Sequence, residues 1–137
     1  MRLSDLLLHP SDQKQLSALL DSEVGSIMLE ADRGFGKETV ARALANELTG
    51  SRPEYMTALE PLESSITIEQ IRALKSFFSL KTHSRDTKRV AILVNADTMT
   101  TEAQNSLLKL LEEPPKNCYI ILRSEERRVG KECLRLC

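Results

Sequence analysis

Ala31, Asp32, Arg33, Gly34, Phe35, Gly36, Lys37, Glu38 and Thr39 follow a short apolar run and open into a helical pattern, a setting in which a chain can hold phosphate. A strand that turns through glycines into a helix aims backbone amides and the helix's partial positive end at an anion, and a lysine there reaches terminal phosphates. Gly34, Gly36 and Lys37 supply those parts. The pattern departs at two places: Ala31 stands where the first glycine belongs, and Glu38 stands where Ser or Thr would give magnesium a hydroxyl. A carboxylate at 38 repels phosphate, and Thr39 is turned about 100° around the helix from the direction the metal requires. The plain alternative is a glycine turn joining strand to helix, with Lys37 solvated.

Hydrolysis needs a second set of groups, carboxylates at the end of a later strand that hold the metal through water and polarise the attacking water. In the run Arg89 to Asp97 the two positions are Val94 and Asn95. Val94 has no oxygen to offer a metal, and Asn95 takes up no proton at neutral pH. Asp97 lies two residues further on and reads as the start of the turn into the next helix. No catalytic residue is therefore expected. Gly34, Gly36, Lys37, Glu38 and Thr39 form a degenerate phosphate loop that requires no cofactor and binds ATP weakly if at all.

Four short apolar runs read as strands, Ser26 to Glu30, Tyr55 to Glu60, Val90 to Val94 and Cys118 to Leu122. The last two are nearly continuous in apolar residues, as in strands covered on both faces of a parallel sheet. Between them, Val40, Ala41, Leu44, Ala45 and Leu48 share one helical face. So do Ile68, Ile71, Leu74, Phe77 and Phe78, and so do Ala103, Leu107, Leu110 and Leu111. Thr67 with Gln70 and Thr101 with Gln104 have capping-box spacing, and Pro114 with Pro115 stops the last helix. Strand and helix alternate, which predicts an α/β fold with a parallel sheet and helices on both faces.

A composition of 41% apolar and 28% charged residues excludes a disordered chain, and the net charge of −1 supplies no bulk attraction to nucleic acid. Lys81, Arg85, Lys88, Arg89 and Lys109 are scattered basic residues that read as solvated, with phosphate contact the alternative. No apolar run approaches membrane-spanning length, and the first residues lack the form of a secretion signal, so no membrane and a cytoplasmic location are expected. Cys118, Cys133 and Cys137 have neither paired spacing nor nearby histidines, and His9 and His83 stand alone, so no metal site is expected. Cys118 reads as a buried strand residue.

The segment from Asn95 to Pro115 resembles the run after the third strand of bacterial clamp-loader ATPases, the gamma and delta-prime subunits of DNA polymerase III. The likeness lies above all in Ala103, Gln104, Asn105, Ser106, Leu107, Leu108 and Lys109, then Leu111, Glu112, Glu113, Pro114 and Pro115. Leu59, Glu60, Pro61 and the run Ile66 to Leu74 resemble the family's second strand and following helix, so the resemblance covers about residues 10 to 122. It implies an AAA+ P-loop three-layer domain over residues 1–122, incomplete, without the family's fifth strand, lid and collar. Within the family, the altered positions 38, 94 and 95 resemble delta-prime rather than gamma, as does the lack of a cysteine module after the first helix.

The resemblance thus implies a non-hydrolysing subunit of the DNA polymerase III holoenzyme that supports loading of the sliding clamp onto primed DNA in replication. Its partners would be gamma/tau and delta subunits. A gamma-like ATPase with weak ATP binding or hydrolysis, and a generic AAA+ remodelling protein, are the alternatives. The family's fourth strand ends in a small polar sensor residue, and Arg123 stands at that place. Residues 123–137 are charge-dense and lack the family's Ser-Arg-Cys element, so they are expected to form a tail that is not native to the fold.

Overall fold

The computed structural model describes residues 6, 10–21, 25–30, 36–80 and 87–124. Its elements in chain order are α1 (Pro10–Asp21), β1 (Ser26–Glu30), α2 (Lys37–Thr49), β2 (Met56–Leu59), α3 (Ile68–Ser79), β3 (Arg89–Leu93), α4 (Thr101–Glu112) and β4 (Cys118–Ser124). Single 3₁₀ turns at Pro53–Tyr55 and Ala96–Thr98 lead into β2 and out of β3. The four strands form one parallel sheet in the order β1-β4-β3-β2, as strand and helix alternation predicts.

Side chains alternate across the sheet and sort the core into two layers. On one face Ile27, Leu29, Val90, Ile92, Tyr119 and Ile121 meet Leu16 and Leu19 of α1 and Ala41, Leu44, Ala45 and Leu48 of α2. On the other, Ala91, Leu93, Cys118, Ile120 and Leu122 meet Ile71, Leu74 and Phe78 of α3 and Ala103, Leu107 and Leu110 of α4. All five residues of β3 are buried, which explains why that strand shows no polar alternation. The small alanines of α2 let its axis lie close to the sheet.

Helix boundaries follow local chemistry. At α3 the capping box forms as its spacing predicts: the Thr67 N–H donates to Gln70 Oε1 at 3.0 Å. At α4 the cap is Thr100 rather than Thr101, and its side chain accepts from the Ala103 N–H at 3.1 Å. The cause is tertiary. The Thr100 N–H donates to the Ile66 carbonyl and the Ile66 N–H to the Thr98 carbonyl, which holds residue 100 extended and starts the helix at 101. Gly50 ends α2 in the left-handed region, φ 66°, where glycine carries no Cβ penalty.

Two expectations change at the edges of the sheet. Arg89 is not a solvated loop residue: it opens β3, is 5% exposed, and its guanidinium lies 5.1 Å from the ring centroids of both Tyr55 and Phe77. Flat cation and ring faces attract, so a charge that reads as loop is drawn inside. Lys88 likewise sits over Tyr119 at 5.3 Å. β4 also runs beyond Leu122: Arg123 and Ser124 pair with Leu29 and Glu30, so the first two residues of the expected tail belong to the strand. Residues 125–137, with Cys133 and Cys137, lie outside the described residues, as do Lys81, His83 and Arg85.

The turn after α4 seats against the start of β1. A Cβ on Gly25 would lie 2.9 Å from Pro114 Cγ and 3.1 Å from Pro114 Cβ, while the Gly25 carbonyl accepts from the Ile120 N–H at 2.9 Å. Gly25→Ala should therefore cost about 1 to 2 kcal/mol in urea unfolding, and Pro114→Ala should recover part of it in a double-mutant cycle.

Cys118 is buried on the α3–α4 face as expected, and burial pushes its thiol up to about 11, an effect that nearby Arg89 partly offsets. The folded state holds the proton more tightly than the unfolded chain. The thiol's contribution is therefore full below about pH 9 and lost as pH rises towards 11. With Cys133 and Cys137 replaced by Ser, the native protein should react with a thiol reagent at pH 8 about a hundredfold more slowly than the unfolded one.

Candidate functional site

The ends of β1, β4 and β3 lie side by side at the carboxyl edge of the sheet, where ligands of open α/β sheets bind. Ala31 to Phe35, including Gly34, lie outside the described residues, and so does the side chain of Lys37. Gly36 takes φ 75° and ψ 24°, the left-handed conformation that a glycine turn into a helix supplies. Its carbonyl accepts from the Val40 N–H at 3.0 Å, and α2 opens at Lys37.

Glu38 is exposed in the first turn of α2. Its Oε1 meets Arg42 one turn on, at 3.1 Å from Nη2 and 3.2 Å from Nε. Side chains on a helix lean towards its N-terminus, which brings Arg42 back to this turn. Sequence reading did not single out Arg42; an acid and a base four apart on a helix was the signal available. The pair is 72% exposed at Arg42 and 59% at Glu38, so it contributes little to stability. Thr39 is half-buried beside it.

Val94 follows β3, and its N–H donates to the Leu59 carbonyl at 2.9 Å. Its side chain joins the apolar layer under α2, on the face whose helix starts at Lys37. A position that in a hydrolytic site would present an oxygen here extends the core. Asn95 stands at φ 52° and ψ 56°, and its carbonyl accepts from both the N–H and the Oγ1 of Thr98, at 2.9 and 2.7 Å. Asparagine tolerates this left-handed geometry better than other residues with a Cβ, so residue 95 has a conformational use apart from chemistry. Asp97 lies in the 3₁₀ turn, as its place beyond the strand predicts.

The end of β4 differs from the expectation that put Arg123 at the strand's terminal polar position. Ser124 ends the strand, is buried, and donates through Oγ to Asp97 Oδ1 at 3.4 Å. Arg123 pairs with Leu29 and so shares the α2 face; its Nε is buried without a hydrogen-bond partner among the described residues. At the carboxyl ends of the strands the described parts are thus Gly36 and the start of α2 with Glu38, and, after β3, Val94 and Asn95. Of their side chains, Val94 offers no oxygen, Asn95 offers a carboxamide, and the Glu38 carboxylate is paired with Arg42. Among the described residues no cluster of His, Cys, Asp and Glu could hold a metal ion, and no helix is long and apolar enough to cross a membrane.

This sheet order with a glycine-lysine turn after β1 defines a P-loop NTPase-like α/β domain of the AAA+ kind. Two solved structures share it: a DNA polymerase III gamma subunit-related protein from Thermotoga maritima (TM-score 0.63, 27% identity, 80% of this chain and 39% of that one), and the P-loop NTPase domain of a sigma-54 transport activator from E. coli (TM-score 0.54, 19% identity, 83% and 88%). The second likeness is of fold alone.

Residues 49–129 match the family described as DNA polymerase III, delta subunit, and the chain belongs to that family. It is similar to the DNA polymerase III subunit delta' of Bacillus subtilis, 41% identical over 78 residues (57% of this chain, 23% of that protein). The subunit delta' of Yersinia pestis is 38% identical over 119 residues (85% and 34%). The chain thus spans well under half the length of these curated relatives.

Asn95→Glu restores a carboxylate at the end of β3 but puts a poorly suited residue in the left-handed region. It should cost about 1 kcal/mol in urea unfolding, while Asn95→Gly holds stability. With no hydroxyl at 38 and no side-chain oxygen at 94, Asn95→Glu should also show no ATP turnover above wild type in a phosphate-release assay.

Proposed function

We propose that this chain is the front part of a delta-prime-type clamp-loader subunit, one that supports loading of the sliding clamp onto primed DNA without hydrolysing ATP itself. Family membership supports the replication role. The observation that carries the non-hydrolysing reading is Val94, whose side chain fills the apolar layer under α2 where a metal-binding oxygen would be needed. Asn95 beside it is committed to a turn, and Glu38 carries negative charge in the first turn of α2. The subunit would lend its fold and surfaces to a ring in which gamma/tau neighbours perform the chemistry, and delta would be a further partner. Nucleotide binding, where it occurs, would be weak and independent of magnesium.

The rival is a gamma-like ATPase of low turnover, which the glycine-lysine turn at Gly36 and Lys37 keeps in view. The two readings separate cleanly. The full-length gene product should show no magnesium-dependent ATP turnover above a Lys37→Ala control, and should co-purify with gamma/tau and delta subunits from its own cells. Turnover abolished by Lys37→Ala would favour the rival. Capture of no replication protein would count against the clamp-loader assignment.

A further inference from the structure

The connection from β2 to α3 carries a feature that nucleotide chemistry does not use. The Leu62 N–H donates to the Ser65 carbonyl at 3.1 Å and the Ser65 N–H returns to the Leu62 carbonyl at 3.2 Å, closing a two-residue hairpin. Glu63 at its tip has φ 60°, a left-handed conformation strained for a residue with a Cβ. The foot of the hairpin is fixed on both sides. Ile66, fully buried, is bonded to Thr98 and Thr100, and Gln70 Nε2 donates to the Glu60 carbonyl at 2.7 Å.

On this anchored hairpin Leu62 is 62% exposed, more than Leu80 at 58% or Leu108 at 54%. Glu60 and Glu63 are exposed near it in sequence. A pre-formed loop loses little conformational entropy on docking, so an apolar group on it contributes most of its burial to affinity. Acidic residues around an apolar knob repel the phosphates of nucleic acid and complement a basic rim on a protein.

We propose that hairpin 62–65 is a docking knob for another protein subunit, one that offers Leu62 an apolar pocket edged by lysine or arginine. The choice of subunits to try rests on the clamp-loader reading; the knob itself rests on the hairpin's geometry and charge. The test measures binding of the full-length protein to purified gamma and delta subunits from the same genome, with variants Leu62→Ser, Leu108→Ser and the pair Glu60→Gln with Glu63→Gln.

Leu62→Ser should weaken assembly about tenfold with an unchanged melting temperature, while Leu108→Ser leaves it intact. The glutamine pair should slow association and flatten its salt dependence. Wild-type assembly matched by Leu62→Ser would overturn the knob alone, and a wild type that binds neither subunit would overturn the clamp-loader reading and the knob with it. Self-association lost in Leu62→Ser would replace the proposed partner with a second copy, and weaker binding to primed DNA in that variant would replace it with nucleic acid; either result overturns the proposal.

Discussion

The pairing of β4 between β1 and β3 is the constraint on which the rest of the molecule depends. Among the described residues β1 has β4 as its only strand neighbour, so the first strand joins the sheet only when the last has been laid down. The five paired positions from Ser26 with Ile120 to Glu30 with Ser124 set the register, and a one-residue slip would exchange the faces of every side chain. With the register set, Ile121 faces α2 and Ile120 faces α3 and α4, and both layers close. The site inherits its dimensions from the same pairing. β4 holds the ends of β1 and β3 two strand spacings apart, about 9.6 Å.

Sequence reading located this framework because burial on both faces leaves a signature in residue type. β1 is found at Ser26–Glu30 as its apolar run predicts, and β2 to β4 within a residue or two of theirs. The helix faces led by Leu44, Leu74 and Leu107 are the buried ones. What could not be read were features decided by distant partners. Arg89 looks like a loop base until Tyr55 and Phe77 are brought beside it. Thr100 and Thr101 are equal as caps until the two bonds to Ile66 choose between them. β4 continues through Arg123 and Ser124 because β1 offers pairing partners, which outweighs the charge that made Arg123 look like tail.

The candidate site was legible in residue identity and only partly in conformation. Types alone exclude a metal ligand at 94. They do not show that Val94 is recruited to the layer under α2, nor that Asn95 is left-handed, nor that Glu38 has Arg42 beside it. The positive φ values at Ser51, Glu63, Asn95 and Asn117 belong to the same class, since residues with a Cβ carry no glycine to announce them. Residue choice at two of the four is Asn, the type that bears this geometry at least cost.

Fold and chemistry separate in this chain because different atoms serve them. The sheet needs apolar volume at alternate positions and backbone hydrogen bonds, and neither depends on what stands at 38 or 95. At each of these positions local energetics favour the residue present. At 94 an alkyl group gains from packing under α2, where an unpaired carboxylate would carry a desolvation penalty. At 95 the turn into Ala96–Thr98 favours asparagine over glutamate. At 38 an acid in the first turn of α2 suits the helix's positive end. Each of these positions thus has a physical reason, in packing, turn geometry or helix charge, to hold the residue it does.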